Sequence, residues 1–168
     1  KGAEFINQGL ALMNVKTASK GKHNIPKKGG VIIAANHPLG GLDGITLIKE
    51  VGETRSDIHI LVNDILMQIK NFQPIFVPIN KHGKNARSNL QFIDSLYASE
   101  KCIMVFPAGF VSRRQKKKKV EDLVWKKSFI TKAKKHQKDI IPTFIDGLNS
   151  NKFYKIAYWR KKIGIKIN

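Results

Sequence analysis

Val31-Ile32-Ile33-Ala34-Ala35 runs straight into Asn36-His37-Pro38-Leu39-Gly40-Gly41-Leu42-Asp43-Gly44, and the reading of this passage decides the fold. Five consecutive apolar residues, three of them β-branched, suit a strand covered on both faces, as in the interior of a parallel sheet, and the strand is expected over Val31–Asn36. The Gly40-Gly41 pair permits backbone angles that other residues resist, so the chain can turn sharply into a helix. Asp43 is expected to cap that helix, which runs to about Val51. The strand therefore delivers a histidine at its end, and the helix delivers a carboxylate one tight turn later. A histidine held by a carboxylate works as a general base near neutral pH. The same residue types also suit an ordinary strand-to-helix turn, with Asp43 as a cap and His37 closing the strand. The turn contains no serine nucleophile. A hydroxyl or amine activated here would belong to the substrate.

Outward from this passage, strands and helices alternate. Glu4–Val15 has the spacing of an amphipathic helix, suited either to packing on the sheet or to apolar insertion into a membrane. Gly21–Gly30 reads as a loop around Pro26. Ile58–Val62 is expected to be a strand, Asp64–Lys70 a short helix and Phe76–Ile79 another strand. A helix over Asn85–Ala98, a buried strand over Cys102–Phe106 and a helix around Leu123–His136 follow. Ile140–Ile145 and Phe153–Trp159 complete the set as strands. The pattern predicts an α/β fold: a single domain over residues 1–168, with a mostly parallel or mixed central sheet flanked by helices.

The 168 residues and a 42% hydrophobic fraction fit one globular domain. A single cysteine, Cys102, excludes an internal disulfide framework and fits either a reducing compartment or indifference to redox. No apolar stretch approaches the ~18–20 residues that span a bilayer, and no signal-peptide pattern opens the chain. Because it begins with Lys1, truncation at one or both ends is expected. The formal net charge is +19. Between Arg113 and Lys138, twelve Lys or Arg stand against Glu121 and Asp122, a local net charge of +10. Such a field favours an anionic partner: nucleic acid, an acidic protein or an anionic membrane surface.

A second passage, Phe106-Pro107-Ala108-Gly109-Phe110-Val111-Ser112-Arg113-Arg114, takes a buried strand into a glycine loop and two arginines. Gly109 allows substrate to approach the backbone closely, and an arginine presents a planar fork suited to phosphate or carboxylate. A plain strand end entering a solvated basic loop is the alternative. Cys102 reads as a small core residue. His23, His59, His82 and His136 lack metal-ligand spacing, so no metal is expected, and no nucleotide-binding glycine pattern is present.

Taken together, the two passages resemble the glycerolipid acyltransferase superfamily, which includes lysophosphatidic acid and glycerol-3-phosphate acyltransferases. Asn36–Gly44 is similar to its His/Asp block, Phe76–Lys81 to its second block, Phe106–Arg113 to its Phe-Pro-Glu-Gly block and Ile141–Gly147 to its last. These blocks cover about residues 31–150. There are two departures. Five residues separate His37 from Asp43 where the family has four, and Ala108 stands where the family has Glu. Both features, together with Gly147-Leu148-Asn149-Ser150, resemble the bacterial branch that makes ornithine and glycine lipids.

The resemblance implies an O-acyltransferase. His37 is the general base and Asp43 orients it; Gly109, Ser112, Arg113, Arg114, Lys81 and Arg87 are the substrate-binding candidates, with Arg113 foremost. The acceptor is a lyso-lipid, either lyso-aminolipid or lysophosphatidate. The co-substrate is a thioester of acidic acyl carrier protein or of coenzyme A, and no bound cofactor is expected. Backbone N–H groups near Gly109 or the Gly40-Gly41 turn are the expected oxyanion donors. The expected location is cytoplasmic, on the inner face of an anionic membrane. Relatives extend beyond the stretch near Ile165, so a C-terminal portion is expected to be missing. Two rivals remain: a basic nucleic-acid-binding module, and a catalytically silent relative. Against the first, Leu123, Val124 and Ile130 alternate with Trp125 and Phe129 at the spacing of a core-facing stripe.

Overall fold

A computed structural model describes residues 2–79, 87–115 and 119–162. Its strands are β1 (Val31–Ala35), β2 (Ile58–Asn63), β3 (Phe76–Ile79), β4 (Cys102–Val105), β5 (Arg113–Arg114), β6 (Val120–Glu121) and β7 (Asp139–Thr143). Its helices are α1 (Gly2–Leu12), α2 (Gly41–Gly52), α3 (Arg87–Ala98), α4 (Ser128–His136) and α5 (Asn151–Lys162). Five strands form one parallel sheet in the order β3-β2-β4-β1-β7, while β5 and β6 pair as a separate antiparallel ribbon. Parallel neighbours need long crossovers, and the helices between the strands supply them.

All five residues of β1 are buried, as a central strand covered on both faces requires. Side chains alternate across the sheet. Val31, Ile33 and Ala35 join Ile6 and Leu10 of α1 and Leu47, Ile48 and Val51 of α2. Ile32 and Ala34 point the other way, to Ile93, Leu96 and Tyr97 of α3 and Phe129 and Ala133 of α4. Each Val, Leu or Ile among them contributes about 1.5–3 kcal/mol on burial. The buried Ile6 and Leu10 place the inner face of α1 in the core, as sheet packing requires.

Three expectations need correction. Phe153–Trp159 is not a strand but the body of α5. The Ser150 hydroxyl accepts the Phe153 N–H at 3.2 Å and so caps this helix, and only one of its aromatics, Tyr154, is fully buried. Asp64–Lys70 forms 3-10 turns, over Asp64–Gln68 and again from Lys70 to Phe72, in place of an α-helix. The helix expected from Leu123 begins only at Ser128.

At the opposite end of the sheet from the glycine turn, Arg55 is only 2% exposed and ties three segments together. It donates to both Asp57 carboxylate oxygens at 2.7 and 2.8 Å, to Pro26 and Gly29 carbonyls at 2.8 and 2.9 Å, and to Glu100 O at 3.0 Å. Removing one partner of such a pair strands the groups that remain. Arg55→Met is expected to lower unfolding free energy by about 3–5 kcal/mol, read from denaturant midpoints at constant m-value.

Candidate active site

β1 is flanked by β4 on one side and β7 on the other, so the loops leaving all three strands emerge at one edge of the sheet. Open parallel sheets bind ligands at this carboxyl edge. His37 stands there, just past β1. The loop after β7 grips its turn directly. Asn36 Nδ2 donates to Ile145 O at 2.9 Å, and the Ile145 N–H donates to Asn36 Oδ1 at 2.6 Å. Asn149 Nδ2 donates to Pro38 O at 2.7 Å.

His37 Nδ1 lies 2.9 Å from Asp43 Oδ2, with the side chains 18% and 0% exposed. The distance is that of a hydrogen bond; the alignment is not, and among the described residues Asp43 Oδ1 also has no partner. Catalytic hydrogen bonds often tighten only when substrate is bound. Oδ2 additionally accepts the Leu39 N–H at 2.8 Å and the Gly40 N–H at 2.9 Å. Asp43 is therefore not the helix cap expected from the sequence. Gly40 is the cap, and Asp43 reaches back to it from the third helical position. The turn depends on Gly40 adopting φ 85°, a region that L side chains rarely enter. The imidazole also stacks on Phe106, with centroids 4.3 Å apart and planes at 24°. Nδ1 is the ring nitrogen turned to Asp43.

The loop after β4 completes the site. Ser112 is buried; its N–H donates to His37 O at 2.8 Å and its hydroxyl to Asp122 Oδ1 at 2.5 Å. Asp122 also accepts the His37 N–H, at 3.2 Å to each oxygen, and Trp125 Nε1–H at 2.9 Å. Sequence reading missed Asp122, whose only signal was an acid inside a basic stretch. Arg113 donates to the Val111 and Ser112 carbonyls at 2.9 and 3.2 Å and lies 5.2 Å over the Phe153 ring. Burial, and then the neighbouring Arg160, lower its pKa from the ordinary value. Arg114 donates to Asn151 Oδ1 at 3.0 Å and lies 5.9 Å from the centre of the Tyr154 ring. Neither arginine has a carboxylate partner among the described residues.

Gly109 takes φ 68° and gives its N–H to Phe106 O at 2.9 Å. Since the Gly40 N–H goes to Asp43, both of these candidate oxyanion donors are engaged internally in this state. Beside Phe106 and Gly109 an apolar cleft is lined by Leu61, Ile79, Tyr97 and Phe129. Ala108 is 3% exposed, too enclosed for a longer acidic side chain without rearrangement. Thus His37, Asp43 and Ser112 meet directly, while Gly109, Arg113 and Arg114 lie on the segment that bears Ser112. Arg87 opens α3 as an exposed residue with no hydrogen bond or ion pair to the turn among the described residues. Lys81 lies outside the described residues, as do His82 and most of the Lys116–Lys119 run. Cys102 is fully enclosed, and burial pushes its thiol up to about 11. Among the described residues no His, Cys, Asp or Glu side chains cluster in threes as metal ligands would.

A family model described as Acyltransferase matches residues 1–168. The chain belongs to this family. With it comes membership of the glycerolipid acyltransferase superfamily. Two lyso-glycine lipid O-acyltransferases are similar to it, from Phocaeicola vulgatus and Bacteroides thetaiotaomicron, each 38% identical over 168 residues. The alignments cover 99% of this chain, which spans only about 60% of those relatives' length. The fold is similar to the crystal structure of the 1-acyl-sn-glycerophosphate (LPA) acyltransferase PlsC from Thermotoga maritima, with a TM-score of 0.55 and 16% identity. That match covers 99% of this chain and 80% of PlsC.

The two glycines of this acyltransferase turn should behave differently. A Cβ on Gly40 would enter a disfavoured backbone region and meet Val111 Cγ2 at 3.1 Å, whereas one on Gly41 meets nothing within 4 Å. Gly40→Ala is expected to destabilise by more than about 1 kcal/mol, while Gly41→Ala changes thermal stability little. Equal melting shifts for the two variants would contradict this account of the turn.

Proposed function

We propose that the protein moves a fatty acyl group from a thioester to the hydroxyl of a lyso-lipid, an acceptor of the lyso-aminolipid kind being favoured over lysophosphatidate. The observation that carries this reading is the 2.9 Å approach of His37 to the buried Asp43 at the carboxyl edge of an acyltransferase-family sheet. The names of the two 38% identical relatives support the choice of acceptor.

His37 Nε2 takes the proton as the acceptor oxygen attacks the thioester carbonyl. The tetrahedral intermediate collapses by breaking the C–S bond, and the imidazolium returns the proton to the departing thiolate. The products are an ester and a free thiol. Asp43 fixes the ring's orientation and balances the imidazolium. Arg113 and Arg114 hold the anionic group of the acceptor, a carboxylate or phosphate matched by a guanidinium fork. Lys81 and Arg87 are secondary candidates for anionic groups of either substrate. The thiol carrier is acyl carrier protein or coenzyme A, and both carry negative charge that a +19 chain attracts. The same charge supports peripheral attachment to the anionic inner face of the membrane, at about 1 kcal/mol per Lys or Arg near the surface. No helix among the described residues is long and apolar enough to cross a membrane.

The test offers each thioester with lyso-glycine lipid, lysophosphatidate or glycerol 3-phosphate and measures thiol release. We expect release with a lyso-lipid, reduced about 10²–10⁴-fold by His37→Ala. Release that survives His37→Ala unchanged removes the mechanism, and nucleic-acid binding without release favours a binding module. Arg113→Ala should raise KM for an anionic acceptor more than it lowers kcat. Vesicle binding is expected to require anionic lipid and to fall as salt rises.

A further inference from the structure

Both backbone polar groups of His37 are held by one loop. Its carbonyl accepts the Ser112 N–H at 2.8 Å, and its N–H points at both oxygens of Asp122 at 3.2 Å. The Ser112 hydroxyl donates to the same carboxylate, so the hydrogen bonds close a ring through His37, Ser112 and Asp122. Trp125 Nε1–H fastens Asp122 from outside the ring at 2.9 Å. Two of these donors approach each carboxylate oxygen, which uses its acceptor capacity well and leaves no place for a donor. Arg113 is the next residue after Ser112, and its guanidinium is turned back onto the carbonyls of Val111 and Ser112.

We propose that Asp122 is a positioning residue that fixes the distance between His37 and the guanidinium of Arg113. The inference rests on the acyl-transfer reading above and adds to it. Asp43 sets how the imidazole ring is turned, whereas Asp122 sets where the histidine backbone stands relative to the loop that bears the arginine. The β5–β6 ribbon is what makes this reach feasible. Arg113 pairs with Glu121 across it, and that pairing brings the following residue, Asp122, back beside Ser112 and His37. An asparagine there would be a close isostere with the wrong chemistry. Its single amide oxygen can serve one side of the ring only, and its NH2 would face either His37 N–H or Trp125 Nε1–H, donor against donor.

The experiment compares the intact protein with Asp122→Asn and Trp125→Phe, measuring kcat, acceptor KM and backbone amide hydrogen exchange. For Asp122→Asn we expect exchange at the His37 and Ser112 amides to quicken at least about tenfold while Leu47–Val51 in α2 is unaffected. We also expect kcat to fall roughly 10–100-fold, with acceptor KM changing by less than about threefold. Trp125→Phe keeps an aromatic side chain but loses the N–H and part of the indole's bulk, and it leaves the Asp122 contacts to His37 and Ser112 in place, so it should shift both readouts in the same direction by less. Unchanged kcat overturns the proposal, as does unaltered exchange at His37 or a loss expressed in KM alone. Should Asp122→Asn fail to fold, Ser112→Ala and Trp125→Phe decide by the same criteria. If wild-type protein transfers no acyl group to any acceptor, the proposed function falls, and the exchange data still decide whether Asp122 anchors the turn.

Discussion

A carboxylate with no solvent exposure organises this molecule's working edge. Burying Asp43 would cost several kcal/mol if it were left unpaired. Its Oδ2 instead gathers two backbone N–H groups of its own turn and the Nδ1 of His37. One oxygen therefore closes the glycine turn, starts α2 and stands 2.9 Å from the imidazole. The position at a helix N-terminus also suits an anion. Because α2 packs its Leu47, Ile48 and Val51 onto the sheet, the carboxylate is as fixed as the core itself.

The sheet supplies the rest by topology. β1 is the one strand that has both β4 and β7 as neighbours, so whatever follows β1 is enclosed by the loops that follow the other two. One loop brings Ser112 and the arginines; the other brings Ile145, Gly147 and Asn149. Gly147 shows how tightly the second loop seats: a Cβ there would come within 2.8 Å of Leu39. The convergence of distant segments on His37 is thus a consequence of strand order, not of local sequence.

Local sequence carried much of the fold all the same. The apolar runs of β1 and β4 had only one reasonable reading, because every residue in them is buried. His37, Asp43 and the arginine loop stood out as chemistry at a strand end. The failures came where two physical signals conflicted. Phe153–Trp159 has the aromatic and β-branched composition of a strand, yet Ser150 caps it and a single inward aromatic, Tyr154, suffices to dock a helix. Asp43 had the right identity for a cap, but a glycine with positive φ took that place. Asp122 was invisible because its role depends on a two-residue ribbon pairing that no periodicity announces.

The excess of positive charge acquires a sharper meaning from where the acids are. Asp57 is bound to Arg55, Glu100 to Lys138, and Asp94 to Lys132, Lys135 and His136. Glu50 is partly buried, which by itself would raise its pKa, yet Lys22, Ser19 and Thr17 hold it down to about 2. Asp43 and Asp122 are engaged at the turn that bears His37. These acids are committed to holding elements together, so they do not neutralise the arginines at the site. Arg113 and Arg114 are steadied by aromatic rings, backbone carbonyls and an asparagine, contacts that orient a guanidinium without cancelling its charge. Arg113 is half-buried and also repelled by Arg160, and both effects disfavour its charged form. The charge that looked like a property of the whole surface is, at this edge, carried by two arginines with no carboxylate partner among the described residues.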